Sequence, residues 1–309
     1  MVLPLSAAMV LGLFGARLGR GLPPSIAVPL LSLSALVTAL ASGFVLAVAG
    51  FIVLAQLPLV AAVGGWSAAA VRSGEPVPVG VSVLAGLAVS ILIGSALHRA
   101  VRAGRDLADA ALVCRRLGPG AQGLVIVEDD QPDAYALPGV RGRIVVSTAM
   151  LRALPVDERR VLLAHEAAHL ALRHYLYVEL AELAAAANPL LRPVARAVRL
   201  AVERWADEVA AVEVGDRRLA ARALARAGLI RANARAAGAG QIPAAAQTAV
   251  DSSVAVRVRA LLAGPPPVRR GLVVAVAALM VSTTAAAART AHQTAHRFER
   301  AEAVYTSPR

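Results

Sequence analysis

VLLAHEAAHLALRH, residues 161–174, decides how the rest of the chain is read. It holds three of the six histidines, His165, His169 and His174, in a run that is otherwise almost wholly apolar. On a helix, positions i and i+4 share a face, so His165 and His169 can point at one cation. Glu166 projects beside that face, where it can act as a base and not as a ligand. HEAAH fits H-E-x-x-H, in which two neutral imidazoles suit Zn2+ and the carboxylate takes a proton from a water that attacks a carbonyl. In an alanine-rich helical chain the five residues also arise by chance, leaving two ordinary polar-surface histidines. The apolar flanks weigh against that, because Glu166 would then be a buried charge without a purpose.

A catalytic zinc keeps three protein ligands and one open position. ERWAD, residues 203–207, supplies the candidate third ligand. Glu203 and Asp207 are again i and i+4. One carboxylate can bind metal while the other orients a histidine ring from behind. The competing reading of this pair is a solvated acidic face matched by arginines, and Glu208 is assigned to that face.

Around these two segments the chain reads as mostly helical. VDERRVLLAHEAAHLALRHYLYVELAELA, residues 156–184, starts with acidic residues that favour a helix N-terminus. NPLLRP (188–193) interrupts it, a second helix carries ERWAD to Gly215, and a third is expected at about 216–237. Upstream, LVIVED (124–129) and RIVVST (143–148) read as short strands separated by the turn-rich QPDAYALPGVRG, and GRDLADAALVCRRLG (104–118) as an amphipathic helix. GAGQIPAAAQ (238–247) is expected to be a flexible loop.

Outside residues 99–268 the sequence changes character. Residues 1–16, 76–97 and 271–288 carry no charged side chain, and 51 consecutive residues, 21–71, lack one. A bilayer-spanning helix needs roughly 20 apolar residues. The first stretch lacks a basic start and a cleavage site, so it reads as an anchor and not a removed signal peptide. The long stretch fits one helix at about 30–56, or two hinged near Gly43 or Gly50. One crossing places Arg17 and Arg20 on the same side as Arg99, Arg102 and Arg105, the side basic residues prefer. The expectation is therefore a mostly α membrane protein with about four transmembrane helices. An α+β metallopeptidase domain would be inserted between the third and fourth. The implied units are a membrane region at 1–98, the metallopeptidase domain at 99–268, a last span at 269–290 and a short basic tail at 291–309.

The chain has 309 residues, is 58% hydrophobic and carries net charge +12, all of its excess basicity from arginine. That charge suits basic loops beside a bilayer; neither a Gly-rich phosphate loop nor an aromatic-basic motif is present, so no direct nucleic-acid binding is expected. The single cysteine, Cys114, excludes an internal disulfide and reads as a small buried hydrophobe.

LLAHEAAHLALRH followed by ERWADEVA resembles the integral-membrane zinc metallopeptidases of the BlaR/MecR kind. It is also similar to the HtpX and CAAX-prenyl protease group. The resemblance covers about 120–262, from DAYALPGVRGRIVVSTAML to VAVRVRALL. It implies a gluzincin-like domain, zinc on His165, His169 and Glu203, catalysis by Glu166, support from Asp207, and RIVVST as the strand along which a peptide lies. It further implies a cell-membrane location with the catalytic domain in the cytosol. The partner would be a protein substrate: a BlaI/MecI-like repressor in signalling, or damaged membrane proteins in an HtpX-like role. Penicillin-sensing members carry a large sensor after the fourth span, whereas about 20 residues follow Ala288. A non-proteolytic zinc-binding scaffold or receptor is the alternative from another class.

Five further residues stand out. Tyr135 is a candidate donor to an oxyanion or a substrate contact. His174 reads as a surface residue beyond the site, and Trp205 as core. His292 and His296, in TAHQTAH, repeat the i, i+4 spacing without a glutamate between them and read as a polar helix face.

Overall fold

The computed structural model describes residues 2–73, 78–118, 120–121, 123–139, 142–238 and 244–306. Four helices precede the first site element: α1 (Val2–Gly21), α2 (Pro24–Leu54) and the short α3 (Pro58–Gly64) and α4 (Ala68–Ser73). A long α5 (Val79–Arg116) follows. Then come β1 (Leu124–Val127), β2 (Ala134–Leu137), β3 (Arg143–Ser147) and α6 (Thr148–Ala153). The remaining helices are α7 (Val156–Ala171), α8 (His174–Ala187), α9 (Arg192–Val214), α10 (Arg217–Gly238), α11 (Ala244–Ala263) and α12 (Arg270–Thr306).

Among the described residues, three helices are long and apolar enough to cross a membrane: α2, α5 and α12. Their surroundings differ. Only 11% of the apolar window of α5 and of α12 is buried against protein, whereas α2 has 39% buried. Exposed Leu84, Leu87, Ile91 and Val281 therefore need an apolar solvent, which is what lipid supplies. The uncharged stretch 21–71 contains one continuous helix, α2, running through both Gly43 and Gly50. Of the two readings offered for that stretch, the single helix is the one seen. At Gly50 a Cβ would come 2.6 Å from the Gly86 Cα, so α2 and α5 touch backbone to backbone, as small residues allow.

The first expected span, 1–16, lies within α1, which is not among the three. α1, like α2, is part of the largest core. There Leu11, Leu22, Val28 and Leu31 of the N-terminal region pack with Leu191, Val194 and Val198, and α8 contributes Ala181 and Ala184. Arg204 of α9, itself buried, donates to the Gly19 carbonyl at 3.0 Å, and Ser32 of α2 donates to the Tyr177 carbonyl at 3.1 Å. α9, which carries Glu203, is thus packed directly on α1 and α2, and α8 on α2 and α5.

The sheet has the order β1-β3-β2, with β1 parallel and β2 antiparallel to β3. This corrects the expectation that RIVVST borders a substrate. β3 is the central strand with both edges paired, and β1 and β2 are the edge strands among the described residues. The continuous helix expected over 156–184 is also corrected: it breaks at Leu172–Arg173, where Arg173 takes φ 50°, the one positive φ among described residues other than glycine. Of the expected loop at 238–247, residues 239–243 lie outside the described residues and 244–247 begin α11. Cys114 is buried, as expected.

Candidate metal centre

Two helices meet at the site. α7 presents His165 and His169 one turn apart, and their Nε2 atoms lie 3.2 Å from one another. α9 brings Glu203 against them, with Oε2 3.7 Å from His165 Nε2 and Oε1 3.7 Å from His169 Nε2. One donor atom from each of the three residues falls within 4.8 Å of the other two, so the group could hold a metal ion. The donor chemistry fits: two imidazole nitrogens and one carboxylate match a three-ligand set of borderline softness.

The other side of each ring is occupied as well. His165 Nδ1 lies 3.1 Å from Asp207 Oδ1, and His169 Nδ1 lies 3.2 Å from His174 Nδ1. With a metal ion on the Nε2 atoms, Nδ1 of each ring would carry the proton. His165 then donates to Asp207, and His169 donates to His174. The remaining ring nitrogen of His174, Nε2, is buried without a partner among the described residues. His174 is 1% exposed and packs against Trp205, so the expectation of a surface histidine is overturned. The break at Arg173 is the cause: a continued helix would have carried His174 away from His169, whereas the left-handed residue restarts α8 beneath it.

Arg257, on α11, ties the carboxylates together. Its Nη1 donates to Glu203 at 2.9 Å, its Nε to Asp207 Oδ2 at 2.9 Å and its Nη2 to Asp207 Oδ1 at 2.7 Å. The sequence reading missed this residue. The available signal was an arginine inside VAVRVRALL, an apolar helical run where an unpaired charge is costly. Glu208, expected on an acidic face matched by arginines, is paired with Arg217 at 2.7 and 2.8 Å and is half-buried.

These contacts set the charge pattern. Burial pulls the His165 pKa down, but its bonds to Asp207 and Glu203 outweigh that and lift it to about 9. Burial and then the His165 charge lower His169 to about 4, and burial and then His169 lower His174 to about 4. Burial would raise Glu203, yet its hydrogen bond with His165 and the Arg257 charge hold it below the ordinary carboxylate range. Asp207 is held low in the same way, against burial, by Arg257 and His165. Glu166 goes the other way. It is 6% exposed, and burial pushes its pKa up, opposed by the charges of His165 and Arg231. Two carboxylates, Glu203 and Asp207, are thus kept ionised beside the imidazoles while Glu166 is made more basic.

The trio and Glu166 line a cleft of about 500 Å3. Its walls come from β2 (Ala134, Tyr135, Ala136), α8, and Gly228 and Arg231 of α10. Tyr135 is 43% exposed in that wall. The structure therefore gathers His165, Glu166, His169, Glu203 and Asp207 and places Tyr135 in the same cleft. His292 and His296 lie on α12, outside it.

Comparison with known proteins gives one result. Residues 102–270, more than half of the chain, match the model of Peptidase family M48. No curated protein and no solved structure matches.

Proposed function

We propose that this chain, which belongs to Peptidase family M48, is a membrane-embedded zinc endopeptidase. His165, His169 and Glu203 would hold the ion. Bound there, zinc supplies Lewis acidity, which polarises a carbonyl and acidifies nearby water. The observation that carries the reading is the meeting of two imidazoles and a carboxylate within 4.8 Å, on the wall that also presents Glu166 to the cleft.

Glu166 would take the proton from the attacking water and pass it to the leaving amine. Its raised pKa makes it a stronger base than a solvated carboxylate. Asp207 holds the His165 ring through Nδ1, and His174 does the same for His169. Arg257 keeps both carboxylates ionised and in place. The substrate would extend along the free edge of β2, forming main-chain hydrogen bonds as an added strand, with Tyr135 beside the scissile bond. β2 lines the cleft, and its other edge is already paired with β3.

The catalytic domain would face the cytosol. Arg17, Arg20, Arg99, Arg102 and Arg105 follow uncharged apolar segments in the sequence, Arg99 pairs with Glu179 of the cleft wall, and basic residues concentrate at the cytosolic face of a bilayer. The substrate would be a protein at that face, either a transcriptional repressor cut in signalling or a damaged membrane protein. Full-length protein in detergent should carry about one zinc per chain and cleave a peptide library in a chelator-sensitive manner. Glu166→Gln should keep the metal and lose cleavage; wild-type cleavage by that variant would contradict the mechanism. Proteins that accumulate uncleaved in cells carrying Glu166→Ala separate the two substrate classes.

A further inference from the structure

A second cavity, about 530 Å3, lies further along α8, toward its C-terminal end, and is walled by α5, α8 and α9. The α5 wall presents His98, Arg99 and Arg102, and the α9 wall presents Arg192, Arg196 and Arg199 at i, i+4 and i+7. Five arginines thus line it against two carboxylates, Asp106 and Glu182. Arg199 is paired with Glu182, and Arg99 with Glu179 at 2.5 Å. Among the described residues, Arg102, Arg192 and Arg196 have no carboxylate partner. Two stripes of like charge facing one another across an open trough repel unless an anion lies between them.

The position of the trough indicates which anion. Its basic rim begins at His98, directly after the uncharged stretch 76–97 ends. Above that rim the same face of α5 exposes Leu84, Leu87 and Ile91, and the segment leading into α9 exposes Leu190. Each wall therefore passes from exposed apolar side chains to arginines, the profile of a bilayer crossing from acyl chain to headgroup. Guanidinium forks match the paired oxygens of a phosphodiester.

We propose that this trough binds the phosphate headgroup of an anionic phospholipid, with its acyl chains against the apolar face of α5. The lipid would neutralise Arg102, Arg192 and Arg196 and fasten α9, the helix that carries Glu203, to the α5 span.

Native mass spectrometry of the full-length protein in detergent tests this with phosphatidylglycerol, phosphatidylcholine, inorganic phosphate and an acidic peptide as separate probes. The wild type should retain phosphatidylglycerol over phosphatidylcholine by roughly tenfold or more, and excess inorganic phosphate should not displace it. Arg102→Gln/Arg192→Gln/Arg196→Gln should lose that preference, whereas Arg289→Gln/Arg297→Gln/Arg300→Gln at the far end of α12 should keep it. Circular dichroism and monodisperse elution check the fold of each variant. If the first triple variant does not fold, Arg102→Gln and Arg196→Gln alone should each weaken retention several-fold. Equal retention of both lipids, binding of inorganic phosphate or the acidic peptide in place of lipid, or unchanged preference in the folded variants would each overturn the proposal.

Discussion

The chain contains two histidine pairs with the same local geometry. His165 and His169 on α7 bring their Nε2 atoms to 3.2 Å, and His292 and His296 on α12 bring theirs to 3.1 Å. In each, one ring has its Nδ1 against a carboxylate: His165 against Asp207 at 3.1 Å, His296 against Glu299 at 2.8 Å. Helical spacing alone produces that much. The difference lies in what other helices bring. At the first pair, α9 delivers Glu203, α11 delivers Arg257 and α8 delivers His174, around a cleft. At the second, the nearest carboxylate belongs to the same helix, and the patch formed with Arg297 and Arg300 is exposed. Two histidines one turn apart become a metal centre when tertiary packing adds a third donor and orients the rings; the spacing does not do it alone.

The sharpest way to break this comparison is to remove the tertiary donor. Glu203→Ala should reduce zinc content to background, and His292→Ala/His296→Ala should leave it unchanged. Both are read by elemental analysis of purified protein. Glu166→Gln separates binding from chemistry: zinc content should hold while cleavage falls by about 10²–10⁴-fold, the usual contribution of a general base. Next come the groups that touch ligands from behind. Asp207→Asn or Arg257→Gln should weaken zinc affinity by about 10–100-fold in a competitive chelator titration. His174→Phe removes the acceptor of the His169 Nδ1 proton while retaining bulk, and it should show the smallest change in that titration, less than about tenfold.

How far the sequence carried this picture follows from which interactions are local. HEAAH and ERWAD each place two groups on one helix face within five residues, so the donors could be named without the fold. Glycine at 215 ends α9 in a left-handed cap, and NPLLRP separates two helices, both by backbone chemistry that residue type encodes. What was not legible depends on long-range partners. Nothing in RIVVST distinguishes a central strand from an edge, because strand order is set by what pairs on either side. Arg173 adopts a left-handed conformation that arginine rarely takes, so no glycine marked the break that returns His174 to the site. Arg257 is 50 residues from Asp207, and its role exists only once α11 lies against α9.

α1 shows the same limit. Its uncharged sequence led to the expectation of a span, and what the sequence did not reveal is that its glycines lie against α9 and the turn before it. A Cβ on Gly12 would lie 2.3 Å from the Leu190 carbonyl oxygen, so this helix lies directly on the turn preceding α9. Gly12→Leu should therefore disturb the contact between α1 and the turn before α9 and lower thermal stability, by about 1–3 kcal/mol for an overpacked contact, while a leucine at the exposed Val281 of α12 should have almost no effect.

The most direct measurement is the zinc content of full-length wild-type protein beside Glu203→Ala and His292→Ala/His296→Ala, all purified in the same detergent. About one zinc per chain in the wild type, background in the first variant and an unchanged value in the second is the predicted result. Full zinc retention by Glu203→Ala, or its loss from the α12 double variant, would contradict a metal centre built where α7 and α9 meet.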